Sequence, residues 1–336
     1  MKRSFALLAI VAAACGGGGL GAVSACGHGG STPASSSSLS VAMIPKGTTH
    51  NFWQSIHAGA NRAGKELGVE VIWRGPLRED DRDSQVSEVE GFISRGVSGI
   101  ALAPLDEAAL VGPVNDAMSK KIPVVIFDSG LKGDNYVSFV ATDNAKGGQL
   151  GGERLIEAMG GKGKVVLLRY AEGHDSTTKR EEGFLAAMKA HPTVQVVSAN
   201  QFVGTDVEEA YKRTESILSS YRKADGSLSI DGIFCANESS SFAAMRVLKD
   251  NGWAGKLHFV GFDSSDNLVK GLQDGTLDGL VIQDPVKMGY LAIKTLVAHI
   301  KGQPVERRID TGVQVVTREN MEQPAMKELL HPDLSK

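Results

Sequence analysis

From Leu39 onward, short runs of apolar residues alternate with longer stretches in which apolar positions recur every three or four residues. Five runs fall in the first half, "LSVAMIP", "VEVIWRG", "SGIALAP", "IPVVIFD" and "YVSFVAT". Five more follow, "KVVLLRY", "VQVVSAN", "DGIFCAN", "LHFVGFD" and "LDGLVIQ". Their almost unbroken apolar character predicts strands covered on both faces, as in parallel sheets flanked by helices. Between them, Trp53, Ile56, Ala60, Ala63 and Leu67 form one helical stripe, and Val86, Val89, Ile93 and Val97 another. Such stripes need a sheet to lie on. Ten strands predict an α/β protein of two similar doubly wound parallel-sheet lobes, with a ligand cleft where the carboxyl ends of the two sets of strands converge.

The residues at those carboxyl ends are polar. Phe-Asp-Ser occurs twice, at Phe127–Ser129 and Phe262–Ser264, and Asn237 and Gln283 also end apolar runs. A carboxylate accepts hydrogen bonds from adjacent hydroxyls, and Asn and Gln both donate and accept. A neutral polyol ligand fits that inventory. The alternative for each residue is a cap on the helix that follows.

Composition narrows the function. The chain has 336 residues, 42% hydrophobic and 22% charged, with a net charge of -3 that becomes -5 once Lys2 and Arg3 leave with a leader. No long basic tract is present, so nucleic acid is not an expected partner. The stretch "SFALLAIVAAAC" after Lys2 and Arg3 is too short to span a bilayer and suits an export signal over residues 1–26. Cys26 follows "VSA" and is the expected lipidation site, with Cys15 as the competitor; residues 27–38 read as a flexible linker. With Cys235 solitary, neither a disulfide framework nor a metal site is expected. No cofactor is expected either. "IPKGTTHNFW" after the first strand lacks a dinucleotide glycine fingerprint, and neither a phosphate-binding loop nor a metalloprotease helix motif occurs. His174 and Asp175 beside Ser176 read as a surface loop, not as catalytic machinery, so the chain is not expected to be an enzyme.

Taken together, "NFWQSIHAGANRAGKELG", "PVVIFDS", "ATDNAKGGQLGGE", "KREEGF", "GIFCANE", "VGFDSS" and "LVIQDPVKMGYLAI" resemble the ribose, allose and galactose type of periplasmic sugar-binding protein. These are the receptors of ABC importers. The resemblance covers Leu39 to Glu319 and implies the type I periplasmic binding fold. It places the N-terminal lobe at 39–142 and 284–311, and the C-terminal lobe at 143–283 and 312–325. Crossings then lie near Thr142, near Gln283 and after Thr311. It implies ligand contacts from His50, Phe52, Trp53 and Asp128 in the first lobe, and from Thr178, Thr205, Asn237, Asp263 and Gln283 in the second. Ser129 and Thr178 stand where ribose receptors carry arginines, so two multidentate donors are missing; Arg169, Tyr170, Glu172 and His174 are candidate replacements. The implied protein is an exported, lipid-anchored monomer that captures a sugar or polyol by lobe closure and presents it to a membrane ABC permease. The same closed form could instead signal to a sensor kinase or chemoreceptor. A repressor core of the same fold would need an N-terminal helix-turn-helix, where this chain has a signal and a linker.

Overall fold

The structure, a computed structural model, describes residues 39–334. The expected lipidation site Cys26, its competitor Cys15, the signal and the linker lie outside those residues.

Twelve strands form two sheets among the described residues. The first holds β1 (Ser40–Ile44), β2 (Glu70–Trp73), β3 (Gly99–Leu102), β4 (Val124–Phe127), β5 (Ser138–Ala141) and the late β11 (Arg308–Asp310), in the order β11-β5-β4-β3-β1-β2. The second holds β6 (Gly163–Arg169), β7 (Val194–Phe202), β8 (Gly232–Cys235), β9 (His258–Phe262), β10 (Gly279–Gln283) and β12 (Val313–Val316), in the order β12-β10-β9-β8-β6-β7. The two orders correspond strand for strand, and each is doubly wound. All ten apolar runs are strands. The two strands that the pattern misses are β11 and β12, three and four residues long, at sheet edges where one flank needs no apolar cover. The second sheet is also not wholly parallel, because β12 runs antiparallel to β10. A single antiparallel edge is a common end to such a sheet.

Helices α1 (Asn51–Leu67), α2 (Arg82–Arg95) and α3 (Val111–Ser119) follow strands of the first sheet. α4 (Asn144–Ala158), α5 (Asp175–Ala190), α6 (Val207–Ser219), α7 (Glu238–Asp250) and α8 (Asp266–Gln273) accompany the second. α9 (Pro285–Ile300) returns to pack on α1, and α10 (Pro324–Leu330) lies by β10. Strand alternation divides the core. Val41 and Met43 face α1 and α9 with Trp53 and Ile56, while Ala42 and Ile44 face α2 with Val89 and Ile93. No helix of the described residues is long and apolar enough to cross a membrane.

Two helix crossings are exceptionally close. A Cβ on Gly59 or Gly289 would overlap the facing backbone where α1 meets α9, and one on Gly148 or Gly183 would do so where α4 meets α5. The first crossing fixes the amino end of α1, with His50 to Trp53. The second brings Asn144 and Arg180 together.

The chain passes between sheets in three places, after β5, after β10, and between β11 and β12. The passages lie side by side: Thr142 Oγ1 is 3.2 Å from Thr311 Oγ1, and Lys287 Nζ donates to the Thr311 carbonyl at 3.3 Å. Few backbone torsions therefore separate the lobes.

Candidate functional site

The two Phe-Asp-Ser corners end β4 and β9, the corresponding strands of the two sheets. Both aspartates adopt the left-handed region, Asp128 at φ 61° and Asp263 at φ 66°. That conformation is uncommon outside glycine, and Asp tolerates it better than most. In both corners the aspartate N–H donates to the neighbouring strand, to Val140 O at 3.1 Å and to Val281 O at 2.8 Å. The turn lifts each carboxylate out of its strand line, and both line one cavity between the lobes.

The N-terminal wall is built from loops after β1 and β2. Lys46 is buried, with its ammonium 2.9 Å from Asp128 Oδ2 in an ion pair that lacks hydrogen-bond alignment. Its aligned bond goes across the cleft to Ser176 Oγ at 3.0 Å. Glu79 gathers three donors. Trp53 Nε1 and His50 Nδ1 approach Oε1 at 2.7 and 3.1 Å, and the Tyr170 hydroxyl reaches Oε2 from the other lobe at 3.1 Å. The Phe52 and Trp53 rings meet edge to face.

The C-terminal wall centres on Arg180, fully buried in α5. It donates to Asn144 Oδ1 at 2.8 Å and Ala236 O at 2.9 Å, lies over the Phe262 ring, and stands 3.8 Å from Asp263 Oδ2. Gln283 Nε2 donates to Asp263 Oδ1 at 2.7 Å. Asn237 caps α7, accepting from Ser240 N, and still lines the cavity. Glu238 accepts the Phe52 N–H across the cleft at 3.3 Å. Ser176 N to Ser129 Oγ and Gly130 N to Asp175 Oδ2 add two more cross-lobe bonds, at 3.1 and 3.0 Å. The lobes are closed on one another.

Closure leaves a cavity of only about 30 Å³, room for a water or two. Two buried acceptors on its walls lack an aligned hydrogen bond: Asp128 Oδ2 from the first lobe, which has only the Lys46 ammonium beside it, and Gln283 Oε1 from the second. Buried acceptors without donors are costly and rare.

Burial and mutual charge set the protonation states. Burial works to raise the Glu79 carboxyl, but the His50 bond and charge and the Lys46 charge outweigh it and hold Glu79 well below the usual range. His50 is raised: burial opposes its charge, and Glu79, with Glu238 and Asp263 behind it, prevails. Burial, helped by the Asp263 and Glu79 charges, pushes Glu238 up to about 7. Burial also raises Asp263, against the pull of Arg180 and Gln283.

Of the residues picked from the sequence, His50, Phe52, Trp53, Asp128, Asn237, Asp263 and Gln283 meet at the cavity. Ser129 lies just behind it, holding Ser176. Thr178 and Thr205 do not line it. Thr178 is half-buried on α5, and its neighbours Ser176 and Thr177 face the cavity instead; Thr205 is buried before α6. The replacement donors are not those expected. Arg169 turns back to Glu181 at 2.6 Å, Glu172 is exposed, and Tyr170 is taken up by Glu79. Lys46 and Arg180 supply the cations. Lys46 escapes notice because one lysine in a glycine-containing loop carries no pattern, and Arg180 because nothing sets one arginine apart from its charged neighbours in "KREEGF". His174 corrects another expectation. It is buried against the Tyr170 ring, and burial and the Lys46 charge lower its pKa to about 4.

Residues 41–304 match the periplasmic binding protein domain family, most of the chain. The chain belongs to this family. It is similar to the ribose import binding protein of Haemophilus influenzae, 29% identical over 266 residues, covering 79% of this chain and 87% of the relative. Among solved structures, it resembles an ABC transporter solute binding protein from Agrobacterium vitis with bound D-fucose, with 35% identity and TM-score 0.81, over 87% of this chain and all of the other. A carbohydrate transporter solute binding protein from Agrobacterium radiobacter in complex with D-arabinose gives 32% identity and TM-score 0.83, over 88% of this chain and all of the other. The type I periplasmic binding fold is thus the fold of this chain, and its family members are binding proteins.

Proposed function

We propose that this periplasmic binding protein captures a neutral monosaccharide or related polyol between its lobes and delivers it, closed, to an ABC import permease. The observation that carries this reading is Gln283 Oε1, a buried acceptor on the cavity wall with no hydrogen-bond partner, together with Asp128 Oδ2 from the other lobe, which has only the misaligned Lys46 ammonium at 2.9 Å. Sugar hydroxyls supply donors to both. A hydroxyl also accepts, so one inserted between Lys46 and Asp128 satisfies the ammonium and the carboxylate together. Phe52 and Trp53 offer apolar faces to ring C–H groups. Glu79, Asp128, Glu238 and Asp263 stand against Lys46, Arg180 and His50 on the walls, so no excess of positive charge draws a phosphorylated sugar. The small closed cavity requires the lobes to part for entry, and the three adjacent passages provide the hinge. Cys26 would tether the receptor to the membrane it serves; Cys26→Ala releasing the exported protein from the membrane fraction checks that part.

The test is a thermal-shift screen of neutral pentoses, hexoses and pentitols beside their phosphates and the common amino acids. A ligand that binds only the folded protein raises the unfolding midpoint in proportion to ln(1 + [L]/Kd). At least one neutral sugar or polyol is expected to stabilise strongly. Stabilisation by phosphates or amino acids alone overturns the reading.

A further inference from the structure

A second compartment adjoins the closed cavity, with a volume of about 270 Å³ against about 30 Å³. The two share Phe52, Asp263 and Gln283. We infer that this compartment is a second subsite, which takes a glycosidically linked substituent on the sugar, so that the ligand class extends to a neutral disaccharide or simple glycoside. The inference rests on the sugar-receptor reading above and deepens it.

Its walls come from three places, two of them continuous with the primary site. The first turn of α1 contributes Gln54 and Ser55, the turn before α8 contributes Ser264 and Ser265, and the stretch after α10 contributes Leu330 and Pro332. Hydroxyls and an amide alternate with apolar faces, the pattern that suits a ring with hydroxyls at its edge and C–H groups on its faces. Leu334, one of two strongly exposed large apolar side chains among the described residues, also lines the compartment. The volume lies just below the usual range for ligand pockets, which begins at about 300 Å³, and suits one added ring and not a longer chain.

The junction carries the argument. Gln283 is 1% exposed and spends its amide N–H on Asp263, which leaves Oε1 without a donor at the boundary between compartments. A hydroxyl on either side of a glycosidic bond supplies one. Charge selects the substituent. Asp263 and Asp266 face the compartment, with His331 3.9 Å from Asp266, and no lysine or arginine among the described residues lines it. A phosphate or uronate substituent would meet carboxylates without a permanent cation to balance it.

The test is calorimetry on the exported chain with matched probes: D-ribose, D-arabinose, D-fucose, D-glucose and D-galactose, then their methyl and phenyl glycosides with cellobiose, maltose and lactose. Gln54 is exposed and lies outside the primary cavity, so Gln54→Trp fills the compartment from its solvent side. We expect at least one glycoside or disaccharide to bind as tightly as its parent sugar or tighter. Gln54→Trp should weaken that ligand by about tenfold or more while leaving the parent sugar within about twofold. Leu334→Asp, at a position that is 44% exposed, should act in the same direction should Gln54→Trp fold poorly. Binding of free monosaccharides with rejection of every glycoside overturns the second subsite and leaves the receptor reading intact. So does an equal effect of these variants on both ligand sizes, or no effect on either. Failure of all sugars of either size overturns the receptor reading and this inference together.

Discussion

Asp128 and Asp263 hold the same position in the two lobes, each at the centre of a Phe-Asp-Ser corner. Each follows the strand fourth along the chain in its sheet, each has a positive φ, and each donates its N–H to the neighbouring strand. Their surroundings differ. Asp128 is paired with buried Lys46, whereas Asp263 shares Arg180 with Asn144 and the Ala236 carbonyl.

That difference predicts unequal variants. Asp128→Asn and Asp263→Asn keep a side chain that tolerates the turn, and each should weaken sugar binding by about 1.5 to 3 kcal/mol, the worth of a charged hydrogen bond. In the empty protein, Asp128→Asn should cost more stability because it strands a buried ammonium, at most about 3 to 5 kcal/mol. Calorimetry and denaturant unfolding separate the two effects. Unchanged affinity in either variant would remove that lobe's carboxylate from the ligand contacts.

Glu79 joins the aromatic wall to the opposite lobe, so its bond to Tyr170 should form only on closure. Glu79→Gln and Tyr170→Phe should each weaken binding, and Tyr170 does so from outside the cavity lining. A double-mutant cycle on affinity should show coupling of about 1 kcal/mol. Strict additivity would mean that the bond contributes nothing to the closed state.

Gly148 meets the Arg180 carbonyl at the crossing of α4 and α5, and its Cβ has no space. Gly148→Ala should destabilise by about 1 to 3 kcal/mol and lower affinity as well, because the crossing aims Arg180 and Asn144. Gly91→Ala, in an open position on α2, should instead stabilise by about 0.4 to 1 kcal/mol. Equal unfolding midpoints for the two variants would contradict the close crossing.

Glu238 and His50 both have raised pKa values in the folded protein, Glu238 to about 7. The stability linked to a raised group is full below its unfolded value and is lost as pH rises through the folded one. The share due to Glu238 should therefore be lost between about pH 4.5 and 7 and that due to His50 as pH rises above 6.5, and Glu238→Gln should remove the first while leaving the second. His174, lowered to about 4, works the other way: its contribution is full above 6.5 and is lost as pH falls towards 4. A pH dependence of the midpoint between about pH 4.5 and 7 that is identical in Glu238→Gln and the parent would clear Glu238 of this role.

The sequence by itself determined the ten apolar strands, the helical stripes and the polar ends of the strands. Burial on both faces admits only apolar residues, and the carboxyl end of a strand leaves a polar one free for a ligand. Seven cavity residues were legible for that reason: Asp128, Asn237, Asp263 and Gln283 from their place at strand ends, and His50, Phe52 and Trp53 from a family resemblance. The remaining site residues came together through folding. Lys46, Glu79 and Arg180 lie far apart along the chain and in no periodic pattern, and their roles arise from pairing across a cleft. A charged residue's partner depends on which loops meet, and a local pattern of residues carries no record of that meeting.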